Sequence, residues 1–264
     1  MSVAVFLNRS YVPLLLAVVV TSGVALIAWP LLAPIDSAPS PLLAAIPAIA
    51  VSLAFGLLLN EVVANHLTIK ALAIAGIVVA LAAAVRPLGA GVAGIEPMWV
   101  ILILAARAFG SAIGFVIAVS AMTVSALATG GVGPWLPYQI VGAGLMAFIA
   151  GALPQWRGRA EIALLISYAA IATFFFGWIM NLWFWQSLTG LQNGIAFDAT
   201  ASSEDRIHAW ITYNLTTSLG FDLPRALFTA LLVALTAKPL LATLRRANRK
   251  FSHTATAQFR ADSP

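Results

Sequence analysis

Apolar segments separated by proline and glycine dominate this 264-residue sequence. Several of them reach the roughly 20 helical residues needed to cross a hydrocarbon core about 30 Å thick. They do not alternate apolar and polar residues as the strands of a membrane β-barrel would, so each is predicted to be a helix. The eight predicted segments are 11–33, 42–64, 68–86, 97–109, 111–129, 136–153, 162–189 and 222–244.

The composition also indicates an integral membrane protein. Hydrophobic residues make up 61% of the chain and charged residues 9%, against roughly 45–50% and about 25% in soluble domains. The apolar run after Arg9 exceeds the about 7–15 residues of a signal-peptide core, which predicts a retained helix. The net charge of +5 is explained by membrane topology, and no nucleic-acid partner is expected. Because the chain has no cysteine, disulfides and thiolate metal sites are excluded.

The distribution of charge predicts the orientation in the membrane. Lysine and arginine in short loops concentrate on the cytoplasmic side, and eight crossings place both termini on one side. The basic residues that lie at the termini or in alternate connections are Arg9, Lys70, Arg107, Arg157, Arg159, Arg245, Arg246, Arg249 and Lys250. Both termini are therefore predicted to be cytoplasmic in a multi-pass protein of the cell membrane. The outward connections are then 34–41, 87–96, 130–135 and 190–221.

No catalytic machinery is evident in the sequence. The three histidines, His66, His208 and His253, lie in or beside connections, without an HExxH pair or a carboxylate cluster. The GxxxxGK[ST] pattern of phosphate-binding loops is absent, so ATP hydrolysis by that route is not expected. We expect no metal and no cofactor, and binding or transport is favoured over a reaction.

An aromatic corner lies on the predicted outward side. The stretch "GGVGPWLPYQ", residues 130–139, combines glycine, which permits tight backbone paths, with proline, which fixes them. The corner would hold Trp135, Tyr138 and Gln139 at the mouth of a pocket. Aromatic faces would supply stacking area and Gln139 would orient a ligand.

A second aromatic face is predicted in the seventh segment. In "FFFGWIMNLWFWQ", residues 174–186, helical spacing places Asn181 on one side with Trp178 and Trp185. A polar amide in hydrocarbon is costly unless it is paired or faces a cavity, which favours a ligand-binding role. The alternative for the tryptophans is an aromatic belt at the outer interface.

The long connection before the last segment contains the amphipathic run "EDRIHAWITYNL", residues 204–215. It predicts a surface helix over the outer mouth, carrying Trp210 and Asn214. The alternative is an interfacial helix anchored by Trp210 and Tyr213 in the headgroup region. In either case, the last membrane segment is expected to begin after this helix.

Charged residues near the outward loops allow two interpretations. Arg86 and Glu96 flank the loop 87–96, either as an internal salt bridge or as ligand-facing charges. Asp222 is predicted to be the N-cap of the last helix, whereas Arg225 is a candidate ligand-facing charge. No acidic residue is expected inside a helix, which counts against a secondary transporter, since such proteins often carry coupling charges there.

Small residues recur every four positions in the third segment. Ala71 and Ala75 form one row, and Gly76, Ala80 and Ala84 form another. Such rows let a second helix approach closely and gain van der Waals contact in lipid. They predict either docking of a partner membrane subunit or packing within this chain.

Three stretches resemble the substrate-specific S components of energy-coupling factor (ECF) transporters. They are "RPLGAGVAGIEPMWVILILAARAFG", "SALATGGVGPWLPYQIVGAGLMAFIAGALP" and "TSLGFDLPRALFTALLVALTAKPLLATLRRA", and the likeness extends over residues 68–250. The Gly-x-Gly-Pro-Trp-x-Pro-aromatic-Gln turn is the most restrictive pattern among them. The resemblance implies an all-α bundle of six helices at 68–250. Residues 1–67 would add two N-terminal transmembrane helices, and 251–264 would be a disordered cytoplasmic tail.

The resemblance also implies a function. The chain would capture a vitamin or related micronutrient from outside and deliver it inward by toppling in the membrane when docked. Its partners would be a transmembrane coupling protein, two ATP-hydrolysing subunits, the ligand and the lipid bilayer. The substrate expected first is cobalamin or a related corrinoid, followed by a queuosine precursor, riboflavin or a pyrimidine compound. A stand-alone secondary transporter and a non-transporting scaffold are the alternatives.

The residues predicted to take part fall into two sets. The substrate-binding set is Glu96, Trp99, Trp135, Tyr138, Gln139, Trp178, Asn181, Trp185, Trp210, Asn214 and Arg225. The partner-docking set is Ala71, Ala75, Gly76 and Ala80. The family's alanine row, to which Ala71 and Ala75 correspond, contacts the coupling protein, whereas two extra N-terminal helices on that face would prevent such docking.

Overall fold

A computed structural model describes residues 11–32, 52, 56, 69–89, 94–189 and 194–261. In this part of the chain the regular structure is entirely helical. The helices are α1 (Tyr11–Leu32), α2 (Ile69–Val85), α3 (Met98–Phe109), α4 (Ser111–Thr129), α5 (Leu136–Ala152), α6 (Gly158–Trp185), α7 (Ser203–Tyr213) and α8 (Leu219–Ala261). A 3-10 turn, Arg86–Gly89, follows α2, and a π-helical turn, Asn214–Ser218, joins α7 to α8. The predicted all-α class is confirmed.

Most predicted segments correspond to observed helices. The segment predicted at 42–64 lies outside the described residues apart from Ser52 and Gly56, so the two-helix N-terminal extension stays a prediction. The domain boundaries at 67 and 250 also stay predictions. Helix α8 continues to Ala261, beyond the predicted start of a tail at 251, and residues 262–264 lie outside the described part.

Within the described residues, three helices are long and apolar enough to span a membrane: Ser111–Thr129, Gly158–Trp185 and the continuous run Ser203–Asn248. Only 28% of the apolar window in α6 and 22% of that in the last run is buried inside the protein. Exposed leucines recur every four residues along α8, at Leu219, Leu223, Leu227, Leu231 and Leu235. Apolar side chains exposed in this way would be unfavourable in water and suit contact with lipid.

Helix α3 forms the centre of the bundle. It packs against α2, α4, α5, α6 and α8, and Trp99, Leu102 and Ile103 are fully buried. Glycine allows close helix contacts around it, because a Cβ at Gly114 would collide with Ala106. Such small-residue contacts are how helices gain packing energy in a membrane.

The last helix begins earlier than predicted. Residues 203–261 form one continuous helical run, because the backbone stays helical through the π-helical turn. Asp222 therefore lies inside a helix, and its predicted role as an N-cap is wrong. The expectation that no acidic residue lies inside a helix is wrong for the same reason.

The helices run up and down, so their ends group at two faces. We call one the tryptophan-rich end, defined by Arg86, Trp99, Gln139, Asn181 and Asp222. The other is the arginine-rich end, defined by Arg107, Arg157, Arg159, Glu161 and Arg245. Helix α1 packs chiefly against α5, α6 and α7, where a Cβ at Gly23 would come within 2.8 Å of Val141.

Candidate functional site

Arg86 connects three chain segments at the tryptophan-rich end. Its Nη2 donates to Gln139 Oε1 at 3.2 Å, and its Nε lies 3.5 Å from Glu96 Oε1. The 3-10 turn, the loop before α3 and the start of α5 are thereby held together. Burial raises the pKa of Glu96 even though the positive charges of Arg86 and Arg225 act to lower it. The ion pair matches one of the two interpretations offered for Arg86 and Glu96.

Arg225 is fixed by the protein on two sides. Its Nε donates to the carbonyl of Gly94 at 3.0 Å, and its Nη1 donates to Asp222 Oδ1 at 2.8 Å. Gly177 on α6 makes room for this pair, because a Cβ there would collide with both side chains. The second carboxylate oxygen, Asp222 Oδ2, is buried and has no hydrogen-bond partner among the described residues. Asp222 thus presents a free acceptor at this end of the bundle.

Asn181 is the centre of a buried polar network. Its Nδ2 donates to Asn214 Oδ1 at 2.7 Å and to Ser218 Oγ at 2.6 Å. Asn214 Nδ2 donates in turn to the carbonyl of Trp210 at 2.7 Å. Asn214 and Ser218 bracket the π-helical turn, so this irregular turn presents both side chains to α6. π-Helical turns of this kind are frequent at functional sites.

The predicted tryptophans divide into two groups, according to whether the indole N–H has an acceptor among the described residues. Trp135 donates to the carbonyl of Gly131 at 3.2 Å, and Trp185 donates to that of Ile195 at 2.7 Å. The Nε1 atoms of Trp99, Trp178 and Trp210 are buried without a hydrogen-bond partner in the described part of the chain. A buried polar atom of this kind calls for an explanation, and a ligand is one that proteins commonly provide.

The aromatic rings around these atoms are in contact with one another. The ring centroids of Trp99 and Phe176 are 4.3 Å apart, and those of Trp178 and Trp210 are 5.2 Å apart in an edge arrangement. Trp185 belongs to a separate cluster with Phe197. The structure therefore groups Trp99, Trp178 and Trp210 by their unsatisfied donors and gives Trp185 a packing role.

Tyr138 is 7% exposed and packs against Val141 and Leu182. Its hydroxyl accepts a long hydrogen bond, 3.4 Å, from Gln186 Nε2.

Three residues of this end were not predicted: Phe176, Gln186 and Ser218. Only Gln186 had a signal in the sequence, as a polar residue closing an aromatic run. The other two depend on helix contacts that spacing does not reveal.

The arginine-rich end contains an ion-pair network that was also not predicted. Arg107 Nε donates to Glu161 Oε1 at 2.7 Å, and Arg245 donates to the same carboxylate. Arg107 also donates to the carbonyls of Leu153 and Pro154, at 2.8 and 2.9 Å. Helices α3, α6 and α8 are thus tied to the end of α5. The assignment of Arg107 to a connection is wrong, because the residue is buried inside α3. Its position within an apolar segment was the signal in the sequence for this network.

The small-residue rows of α2 differ in exposure. Ala75 is half-buried and packs against the core, whereas Gly76, Ala80 and Ala84 are exposed. A Cβ at Gly76 would meet no described atom within 4 Å, so the described chain makes no use of its small size. The side chain of Ala71 lies outside the described part. Ile77 and Leu81, 64% and 53% exposed, flank the exposed row.

These features define a polytopic helical membrane protein with a polar, aromatic cluster at one end of its bundle. Residues 70–237 match the family model described as ECF transporter, substrate-specific component. The match covers more than half of the chain, so this protein belongs to that family, and the resemblance seen in its sequence is confirmed. No curated protein and no solved structure matches the chain. The family consists of transporter subunits, which confirms that the chain is not an enzyme.

Proposed function

We propose that this protein captures a vitamin-like micronutrient at the tryptophan-rich end and delivers it across the cell membrane. The supporting observation is a set of buried hydrogen-bonding atoms there that have no partner among the described residues. They are the indole N–H groups of Trp99, Trp178 and Trp210 and the Asp222 Oδ2 atom. Leaving such atoms unpaired costs free energy, which a bound ligand would recover.

The chemistry of these atoms defines the ligand class. Three donors require acceptors such as carbonyl oxygens or ring nitrogens, and Asp222 requires an N–H or O–H donor. Aromatic surfaces favour a flat ligand. A corrinoid, which is flat and carries peripheral amides, is the substrate we propose first. A queuosine precursor, riboflavin or a pyrimidine compound has the same combination of groups.

Transport would depend on partner subunits. We propose that the exposed face of α2 formed by Gly76, Ala80 and Ala84, next to Ala75, docks on a transmembrane coupling protein driven by two ATPase subunits. Helix α1 packs mainly on the side of α5, α6 and α7, which is compatible with access to α2. The loaded bundle would then topple in the membrane. Both termini would be cytoplasmic, with the arginine-rich end inward.

One observation favours a second candidate, a stand-alone secondary transporter. Asp222 is a buried carboxylate within a helix, as coupling sites in such transporters often are. Its neighbour Arg225 neutralises it at 2.8 Å, which counts against a free coupling charge.

The experiment that tests the proposal is mass spectrometry of small molecules released from the protein purified in mild detergent, with co-purifying subunits identified in the same sample. A stoichiometric vitamin together with a coupling protein and ATPases is the expected result, and the vitamin's mass identifies the substrate. An empty protein without these subunits would contradict the proposal. A bound solute without ATPases would favour the secondary transporter.

A further inference from the structure

Arg206 on α7 is a buried arginine without a carboxylate partner in the described part of the chain. The residue is 2% exposed, and no ion pair within 4.0 Å involves it in the described ranges. With the described residues its guanidinium makes two long hydrogen bonds, 3.5 Å to the carbonyl of Pro30 and 3.4 Å to Ser203 Oγ, and its Nε has no partner among them. Good N–H···O bonds are about 2.7–3.2 Å long. Arg206 therefore retains donors for an anionic group.

Arg206 is also one of the residues that line a cavity of about 350 Å³. Besides Arg206, its lining includes Asp198, Asp205 and His208, which are exposed. The lining thus combines one buried cationic residue with two exposed acidic residues and an exposed histidine. A volume of this size holds a small headgroup rather than a single water molecule.

The two acidic side chains are held in place by their neighbours. Asp198 Oδ1 accepts from the backbone N and the Oγ1 of Thr200, at 2.8 and 2.7 Å, and these bonds lower the pKa of Asp198. Asp205 Oδ2 accepts from Ser202 Oγ at 2.6 Å. Each carboxylate keeps one further oxygen, so the rim can accept hydrogen bonds from an ammonium group.

The cavity lies where a membrane surface is expected. Arg206 and Ser203 contact the last carbonyls of α1, at Pro30 and Leu32, which is the end of a predicted membrane segment. Exposed apolar side chains occur at the end of α1, within α7 and in the π-helical turn that follows α7. They are Leu32, Ile211 and Leu215, with exposed fractions of 57%, 37% and 48%. A lipid with its headgroup in the cavity could place its acyl chains along these side chains.

We propose that this cavity binds the headgroup of a zwitterionic phospholipid of the phosphatidylethanolamine type. Its phosphate accepts from Arg206, and its ammonium donates to Asp198 and Asp205. The phosphate and ammonium chemistry is shared with soluble phosphoethanolamine. The exposed apolar side chains of α1, α7 and the π-helical turn favour the lipid as the source. The residues that line this cavity are not members of the proposed substrate-binding set, and the proposal does not depend on which micronutrient is transported.

Native mass spectrometry of the delipidated protein in detergent tests the proposal. The probes are phosphatidylethanolamine, phosphatidylglycerol, which lacks the ammonium, and soluble phosphoethanolamine. We expect phosphatidylethanolamine to bind about tenfold more tightly than phosphatidylglycerol, and Arg206→Gln to weaken it by about tenfold. The double change Asp198→Asn and Asp205→Asn should bring both lipids to similar affinity. The control Arg246→Gln alters an exposed arginine at the far end of α8 and should leave lipid binding unchanged.

Three outcomes would overturn the proposal. The first is equal binding of both lipids by the unmodified protein. The second is unchanged phosphatidylethanolamine binding in a folded Arg206→Gln protein. If Arg206→Gln fails to fold, the double variant Asp198→Asn, Asp205→Asn still tests the proposal. A retained preference for phosphatidylethanolamine in that variant would refute the ammonium contact. The third is preferential binding of soluble phosphoethanolamine, which would assign the cavity to a soluble ligand.

Discussion

Arg107 and Glu161 form a buried ion pair in which Arg107 Nε lies 2.7 Å from Glu161 Oε1. The two side chains are 0% and 5% exposed and come from α3 and α6, 54 positions apart in the sequence. Arg245 of α8 donates to the same carboxylate. The helices therefore cannot separate at the arginine-rich end without breaking charge-assisted hydrogen bonds, which are about twice as strong as neutral ones.

Glu161→Gln is predicted to destabilise the protein by about 3–5 kcal/mol, because it leaves the buried Arg107 guanidinium without its counter-charge. Thermal unfolding in detergent measures the effect. The control is Glu204→Gln on an exposed surface, which should change stability by no more than about 0.5 kcal/mol. Equal unfolding temperatures for the two variants would show that the network does not stabilise the bundle.

Trp99→Phe and Trp185→Phe each remove one indole N–H group. We expect the first change to affect ligand binding and the second to affect stability more strongly. Trp99 has no acceptor for it among the described residues, so the change should weaken ligand binding by about tenfold. Both sites are fully buried, so the smaller phenylalanine ring costs stability in both variants. Trp185 donates to Ile195, so its change should cost about 1 kcal/mol more and spare affinity. Ligand titration and thermal unfolding of both proteins make the comparison. Wild-type affinity in Trp99→Phe would remove this indole from the proposed site.

Asn181→Ala is predicted to weaken ligand binding without preventing insertion, because it releases Asn214 and Ser218 from their positions at the π-helical turn. A double-mutant cycle with Ser218→Ala tests the contact. The 2.6 Å hydrogen bond should give a coupling energy of about 0.5–3 kcal/mol, and additive effects would contradict the contact.

Gln139→Ala should weaken binding as well, through the loss of the Arg86 hydrogen bond.

Ala80→Leu and Gly76→Leu are predicted to abolish uptake and co-purification of the coupling protein while sparing ligand binding, because bulk on this face keeps a partner helix at a distance. Ala234→Leu on α8, also an exposed position, is the matched control and should retain uptake. Ala75→Leu should abolish uptake too, with an overpacking cost of about 1–3 kcal/mol, since Ala75 packs against the core. Normal uptake in Ala80→Leu would exclude this face as the docking surface.

The pKa of Glu96 predicts a pH dependence of stability. Because burial raises this pKa above its ordinary value of 4.5, the folded protein binds a proton at Glu96 where the unfolded chain does not. Stability should therefore increase as the pH falls through the window just above 4.5 and decrease as it rises. Glu96→Gln should flatten this dependence in unfolding experiments at a series of pH values. An unchanged slope in Glu96→Gln would assign the dependence to other groups.

The sequence by itself determined the membrane class, most of the described helical segments and the family. Segment length and hydropathy are local properties, and crossing a bilayer requires every backbone polar group to be paired within its own helix. The start and end of α4, at 111 and 129, could therefore be predicted from composition alone. The aromatic corner at 130–139 and the polar position of Asn181 were also evident in the sequence.

The tertiary structure decided which polar groups have partners. Nothing local distinguishes Trp185, whose N–H meets Ile195, from Trp99, whose N–H meets no described acceptor. Helix α7 continues into α8 through a π-helical turn whose Asn214 and Ser218 bond to Asn181 across the helix interface, and this continuity places Asp222 inside a helix. Hydrogen-bond partners from distant segments meet only when helices pack. Their identity therefore follows from the fold and not from hydrophobic pattern.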